Sequence, residues 1–487
     1  MLDTELEHRL LKEELNNSTE SEMKRILRRQ KAEFRHSPVT EKEIRVDRLD
    51  RAIELLVDNA DRIDEALQED WSRPRFMNML AEVGGAIARL KYARKNLHKW
   101  CKPRRVSPDF PFGILGAKAK IESRPLGAVG IVSPWNAPSM LSFGPLAAVF
   151  AAGNSAMIKP SEHVPTFAEL LKTLVKKYFG EHELAVITGG ADAGIEFTQL
   201  PFDHLVFTGG SSIAKNVLQA AANNLTPVTL ELGGKSPVVI DASADIKRAA
   251  LRIVSGKCLN AGQICVSPDY VFVPEQKLEE FLCVGLHVAK EQFPTIVDND
   301  DYGSIINKKH FQRLTSYLDD ARDRQVRIVA VEEVSQEMEG ALKLPLHFVV
   351  NPPEDASVSQ EEAFGPILTV LSYSDKDQVI NFINARPHPL ALYFFGEENE
   401  FRNKLLSTTM AGDVTINDVL FHSSQCALPF GGVGNSGDGS CYGEAGFHRL
   451  SYQRSIYQQT RIDSVLNMMR PPYTQKTLKS VMSMIKK

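Results

Sequence analysis

The sequence predicts an α/β protein: an open, mostly parallel sheet followed by a second strand–helix unit. Three observations predict it. Short apolar runs with strand character alternate with helix-length amphipathic runs from Pro125 to about Leu232. A second such series runs from Pro237 to about Gly412. Polar and glycine-bearing turns directly follow the first-series strands, at Pro134-Trp135-Asn136, Lys159-Pro160-Ser161-Glu162, Gly209-Gly210-Ser211 and Glu231-Leu232-Gly233-Gly234. Ligands on open sheets bind beyond those carboxyl ends.

Composition narrows the function classes. At 487 residues the chain is too long for one core, so two or three domains are expected. Lys plus Arg is 57 against 61 for Asp plus Glu, which leaves no electrostatic footprint for nucleic acid. The cysteines at 101, 258, 265, 283, 426 and 441 form no CxxC pair. They read as reduced thiols of an intracellular protein, and no metal site is suggested. The start, Met1 to Leu15, is rich in Glu and does not read as a secretory signal. No apolar run approaches the roughly 18 residues of a membrane span. A soluble, cytoplasmic protein is expected.

Taken in order, residues 1 to about 100 carry the spacing of amphipathic helices, as in Leu49, Ile53, Leu56, Val57, Ala60 and Ile63. The basic cluster within Met23 to Arg35 reads as a solvated helix face. Pro103, Pro108 and Pro111 break the pattern, and Ala117 to Arg124 alternates like an edge strand or hairpin. Strands are then expected at Ala128–Val132, Ser155–Ile158, Leu184–Thr188, His204–Phe207 and Pro227–Glu231. Helices are expected at Met140–Ala152, about Thr166–Phe179, Asp192–Gln199 and Ser212–Asn223. In the second series a helix-like run, Ile246 to Leu259, and a strand-like run, Tyr270 to Val273, bracket a loop bearing Cys265. The basic tail, Arg470 to Lys487, reads first as a frayed terminus, with a membrane-surface or docking helix as the alternative.

Several of these residues admit both a chemical and a plain structural reading. Cys265 sits on a small-residue loop that can present a thiol to a cleft, yet an isolated cysteine is usually just a small buried apolar group. Glu231 can be a general base or a structural ion-pair member. The Asn136 amide can donate to an oxyanion or simply make a turn. Lys159 and Glu162 can hold ribose hydroxyls, or mark a helix entry capped by Ser161. Gly209 and Gly210 end a strand and open a helix, which suits a pyrophosphate. Gly432 to Gly437 fits GxGxxG but follows Leu428-Pro429-Phe430 and precedes further glycines, so it reads as a close-packed loop without a cofactor role.

Together these elements resemble the aldehyde dehydrogenase superfamily. Glu231-Leu232-Gly233-Gly234-Lys235-Ser236-Pro237 is similar to its glutamate motif, and Asn260-Ala261-Gly262-Gln263-Ile264-Cys265 to its cysteine motif. Pro134-Trp135-Asn136, Lys159-Pro160-Ser161-Glu162, Glu361-Glu362-Ala363-Phe364-Gly365-Pro366 and Pro429-Phe430-Gly431-Gly432 follow in the family's order, and the likeness spans about residues 45 to 458. Asn384 to Tyr393 and Asn224 to Thr229 resemble the class 3 branch, most closely the bacterial coniferyl aldehyde dehydrogenases. Four positions depart from that pattern. Ala214 replaces a glycine of the dinucleotide turn, Ala137 stands where class 3 relatives carry an aromatic residue, and Leu450 and Tyr452 replace the common Phe and His.

The resemblance implies NAD(P)-dependent oxidation of a hydrophobic or aromatic aldehyde, coniferyl aldehyde-like, to its acid. Cys265 would be the nucleophile, Asn136 the oxyanion donor and Glu231 the base that activates water. Lys159 and Glu162 would hold the adenosine ribose, Gly209 and Gly210 the pyrophosphate turn, and Glu362 the nicotinamide ribose, with Phe364 beside it. A carboxylate at Glu162 leans toward NAD, with NADP possible. The implied fold has a dinucleotide-binding domain from 1–106 and 125–232, a catalytic domain from 233–412, and a β oligomerisation arm with C-terminal tail from 107–124 and 413–487. A homodimer or higher homo-oligomer follows from the same resemblance. Two alternatives stay open: a coenzyme A-acylating enzyme, and a non-catalytic binding protein on this fold.

Overall fold

The computed structural model describes residues 21–485, so the Glu-rich start from Met1 to Leu15 lies outside the described residues. After the N-terminal helices come β1 (Arg104–Val106) and β2 (Lys118–Pro125). The first alternating series supplies β3 (Ala128–Val132), β4 (Ser155–Lys159), β5 (Leu184–Val186), β6 (His204–Thr208) and β7 (Val228–Glu231). The second supplies β8 (Ser236–Ile240), β9 (Pro268–Pro274), β10 (Arg327–Ala330), β11 (His347–Val350), β12 (Ile367–Tyr373), β13 (Ala391–Phe395) and β14 (Asp413–Ile416). β15 (Gly437–Asp438) and β16 (Ser451–Gln458) close the chain's strands.

They assemble into three sheets. The first is six-stranded in the order β15-β7-β6-β3-β4-β5, parallel except for β15. β3 to β7 are apolar runs buried on both faces, as a helix-covered parallel sheet requires. The chain lays β4 and β5 on one side of β3 and then crosses to lay β6 and β7 on the other. The switch point between β3 and β6 opens a crevice at the carboxyl ends. The second sheet is seven-stranded, β10-β11-β12-β9-β8-β13-β14, with only β10 antiparallel. Residues 232–235 link β7 to β8 directly. The carboxyl ends of the first sheet therefore meet the amino ends of the second, and the segments preceding β8, β9 and β12 face the crevice.

The N-terminal helices brace this junction. Glu183, just before β5, takes Arg48 at 3.0 Å and Arg51 at 2.9 Å from the helix Lys42–Asp58. Deeper in, fully buried Glu82 pairs with buried Arg73. Its other oxygen accepts from the backbone N–H groups of Ser139 at 2.9 Å and Met140 at 3.0 Å. A carboxylate thus sits at the positive end of the buried helix Met140–Ala152, three residues beyond Asn136. The basic helix Glu22–His36 is docked rather than merely solvated. Met23, Ile26 and Leu27 are buried, and Arg25 and Arg29 reach Glu181.

Three expectations change. Residues 117–124 are not an edge: β2 is the centre of the three-stranded sheet β1-β2-β16, paired antiparallel on both sides. Residues 413–487 are shared among all three sheets, because β14 joins the second, β15 the first and β16 the third. The tail is not frayed over its described part but forms a helix, Gln475–Ile485, with Leu478, Val481 and Met482 exposed.

Removing Glu82 strands the buried Arg73 charge and two helix N–H groups. Glu82→Ala should cost about 3–5 kcal/mol, seen as a lower midpoint in urea unfolding. A midpoint equal to wild type would show that the pair is dispensable.

Candidate active site

The junction encloses a cleft of about 230 Å³ lined by Asn136, Cys265, Glu231, Glu362, Gly209, Gly210 and Phe364, among others. Seven of the nine residues singled out from the sequence thus share one cleft. Lys159 and Glu162 do not line it; they lie at the end of β4, the strand next to β3.

The thiol is presented by a backbone that only a few side chains permit. The helix Ile246–Cys258, capped by the Asp245 carboxylate, ends in a turn over Leu259–Gly262. Asn260, Ala261 and Gly262 then take φ of 52°, 50° and 74°. Two consecutive non-glycine residues in this region are costly unless their surroundings hold them. The Asn260 amide donates to the carbonyls of Asn136 at 3.3 Å and Gln263 at 3.1 Å. Gln263 donates to the Ser304 carbonyl at 3.0 Å and accepts from the Ile306 N–H at 3.0 Å. Gly262 is required for space as well, since a Cβ there would lie 2.3 Å from the Gly365 carbonyl oxygen. The Asn136 amide donates to the Gln263 carbonyl at 3.1 Å, which seats the β3 loop against the cysteine loop.

Electrostatics hold the thiol neutral. Burial, then the Glu231 and Glu362 carboxyls, push Cys265 well above the usual cysteine range, while the N–H groups of residues 265 and 266 oppose the shift. Glu231, fully buried, is pushed up to about 7 by burial, and the Tyr442 hydroxyl restrains the rise. Tyr442 donates to Glu231 Oε2 at 2.7 Å, whereas Oε1 has no partner among the described residues. Glu362 is pushed up to about 8 by burial and then by Asp269, against the Gly234 N–H, Lys235 and Lys257. A Cβ on Gly233 would lie 2.5 Å from Glu362 Oε2, so glycine there lets the carboxyl lie on the backbone.

Support residues escaped sequence reasoning. Asp269 follows the cysteine loop, pairs with Lys235 and accepts from the Ala363 N–H at 2.8 Å, so it ties three motifs together. Trp135 makes edge contacts with Trp71 (5.2 Å) and Phe364 (5.5 Å), which builds an aromatic wall. Phe364 is itself left-handed, with φ of 43°. Tyr442 lies 211 residues beyond Glu231, and no sequence spacing could have flagged it. Lys235 lies within the glutamate motif and was there to be found.

The cofactor-side residues fit a dinucleotide. Gly210 caps the helix Ser211–Ala222, and nothing would lie within 4 Å of a Cβ there, so the positive helix end opens on free space. Buried Thr208 Oγ1 lacks a partner among the described residues. Among the described residues the Lys159 ammonium donates to the neighbouring Pro160 carbonyl alone, at 2.8 Å, and burial lowers its pKa while Glu162 opposes. Ser161 is not the helix cap: its hydroxyl accepts from the His163 N–H. The helix Pro165–Tyr178 is capped instead by Asp70, at 2.9 Å from the Thr166 and Phe167 N–H groups. Gly432 within the GxGxxG segment is required by close packing, since a Cβ there would lie 2.0 Å from the Ser436 carbonyl oxygen.

Comparison with known proteins agrees with this geometry. The aldehyde dehydrogenase family model matches residues 12–456. The chain belongs to the aldehyde dehydrogenase family. It is 43% identical over 471 residues to a probable coniferyl aldehyde dehydrogenase of Caulobacter vibrioides, covering 96% of this chain and 97% of that one. It is 43% identical over 449 residues to a coniferyl aldehyde dehydrogenase of a Pseudomonas species, covering 92% of each. The solved structure of Staphylococcus aureus AldH in a substrate-bound state superposes with a TM-score of 0.89 at 35% identity, covering 96% of this chain and all of that one. The aldehyde dehydrogenase fold accounts for both large sheets and the crevice between them.

A half-buried thiol held above its usual pKa should alkylate slowly. In the cofactor-free enzyme at pH 7.5, iodoacetamide should label exposed Cys283 before Cys265 and leave buried Cys258 and Cys441 intact, read by peptide mass spectrometry. Glu231→Gln removes a like charge and should speed Cys265 labelling by about tenfold if it lowers the pKa by about one unit. An unchanged rate would show that Glu231 does not act on the thiol.

Proposed function

We propose that this aldehyde dehydrogenase oxidises a hydrophobic or aromatic aldehyde of the coniferyl type, with NAD as the acceptor and NADP also admitted. One observation carries the reading: a thiol, an amide-bearing loop and a buried carboxyl converge on one cleft walled by Trp135 and Phe364. The aromatic wall and the two coniferyl aldehyde dehydrogenase relatives support the substrate class. Half-buried Ala137, next to Asn136, takes up less room than the aromatic residue that class 3 relatives carry there.

In this reading Cys265, once ionised, adds to the aldehyde carbon, and the oxyanion is held by the Asn136 amide and the Cys265 N–H. An oxyanion donor of this kind is worth about 100- to 1000-fold in rate. When bound, the nicotinamide supplies the hydride acceptor. Glu362 holds its ribose, the N-terminus at Gly209–Gly210 takes the pyrophosphate, and Lys159 and Glu162 hold the adenosine ribose. Phe364 and Trp135 wall the cleft beside the thiol. The resulting Cys265 thioester is cleaved by water whose proton passes to Glu231, which releases the acid and the thiolate. A carboxyl near pKa 7 is matched to that task at neutral pH. The same group argues against coenzyme A as the acyl acceptor, because a thiol needs no buried base to displace a thioester.

The proposed division is a dinucleotide-binding domain, a catalytic domain and an arm. Exposed apolar side chains on and beside the three-stranded sheet, Phe110 (83%), Ile114 (80%) and Tyr452 (62%), support a homo-oligomeric arm. No described helix is long and apolar enough to cross a membrane, and all six cysteines are free, which supports a cytoplasmic setting.

Cys265→Ala should abolish aldehyde-dependent NADH formation while NAD binding, followed by tryptophan fluorescence, survives. Retained turnover would sink the assignment. Across an aldehyde panel with both cofactors, kcat/KM should favour cinnamyl-type over short aliphatic aldehydes; the reverse order would remove the substrate class.

A further inference from the structure

The Glu231 carboxyl has two unlike oxygens, and the difference is built from outside both signature motifs. Oε2 accepts from the Tyr442 hydroxyl at 2.7 Å and faces the Cys441 thiol at 3.6 Å. Oε1 is buried and unpartnered among the described residues. Tyr442 is 1% exposed and sits in a socket made for its ring. The Arg89 guanidinium stacks on one face at 4.1 Å, and the Phe430 ring lies 5.7 Å away. Gly144, inside the buried helix Met140–Ala152, leaves the room, since a Cβ there would lie 2.7 Å from the Tyr442 ring. Arg89 is tied down in turn by donating to the Ser423 carbonyl.

We propose that Tyr442 is a positioning residue for the hydrolytic half of the reaction, fixing Oε2 so that Oε1 is the oxygen that takes the proton from water. This rests on the reading of Glu231 as the base. In the step, a water O–H breaks and its proton goes to Oε1. The water oxygen bonds to the acyl carbon, the C–S bond breaks, and the electron pair leaves on Cys265. Tyr442 keeps its proton throughout; its hydroxyl stabilises the ionised carboxylate before the transfer. The titratable and charged groups around Glu231 are Tyr442 and Cys441 from the C-terminal loop, Arg89 from the helix Gly85–Trp100, Asp413 from β14 and Cys265 itself. Loss of the hydroxyl leaves burial and Asp413 less opposed. The base then ionises at higher pH, and the acid limb of hydrolysis moves upward.

The test follows the Cys265 thioester directly, by quenching enzyme mixed with NAD and aldehyde and measuring acylated peptide by mass spectrometry from pH 5.5 to 9. Tyr442→Phe should still form the thioester, at least as fast as wild type, because a Glu231 protonated to higher pH raises the Cys265 thiol less. Thioester decay should slow about fivefold at pH 7 and about tenfold further down the acid limb, which is raised by about one pH unit, the scale of a hydrogen bond to a charged group. Gly144→Ala, which favours the helix but drives a methyl into the ring, should show the same limb shift with the hydroxyl still present. It carries the test alone should Tyr442→Phe not fold. Wild-type decay profiles in the folded variants would overturn the proposal. Glu231→Gln separates the two readings. If it stops decay at every pH while Tyr442→Phe decays normally, only the role of Tyr442 falls. If Glu231→Gln itself decays normally, the base assignment fails and takes this proposal with it.

Discussion

Everything at this site depends on the four residues that join the two large sheets. Leu232 to Lys235 leave the carboxyl end of β7 and enter the amino end of β8 with no intervening helix. That short link forces the crevice of one sheet against the loops that open the other. The link must be thin where they meet. Gly233 leaves room for the Glu362 carboxyl, and Gly234, at φ of 144°, passes 3.3 Å from the Pro389 Cα position when a Cβ is placed on it. A side chain at either point would push the sheets apart and separate Glu231 from Cys265.

Closing the sheets creates an electrostatic problem, which the structure handles by distributing charge. Cys265, Glu231 and Glu362 are all driven toward their neutral forms by burial. Lys235 offsets part of this by pairing with Asp269, and Lys257, itself pushed down to about 8 by burial, lies near both Asp269 and Glu362. Tyr442 and Arg89 do the same for Glu231. Glu231 and Glu362 therefore titrate close to neutrality, at about 7 and about 8, while Cys265 is held well above its usual range. A buried cleft with poised groups is what an acyl-transfer site of this kind needs.

Much of the fold was legible from pattern alone. The strands at Ala128–Val132 and the helix at Met140–Ala152 fall where the apolar runs predict. Doubly covered strands are uniformly apolar, and the change from period two to period 3.6 is sharp. The motif order brought Asn136, Glu231 and Cys265 together on paper before geometry did. What failed was long-range pairing. β2 looked like an edge because its partner β16 lies more than 300 residues away. The Ser161 cap was inferred from a residue type that commonly caps, but a carboxylate from an earlier helix, Asp70, reached the N–H groups first.

The sequence by itself determined the chemistry present: a loop cysteine, an amide, a carboxyl and glycine turns, each set beside a strand end by local periodicity. Only the tertiary structure decided their states. Burial, which is a property of the whole packing, raises Glu231 and Glu362 and silences Cys258 and Cys265 alike. The difference between the two cysteines is geometric. Cys258 ends a helix inside the core, while the left-handed turn after it swings Cys265 into the cleft. Partners such as Tyr442 and Arg89 are joined to that site by distance in space alone, and distance in space is not written in local spacing.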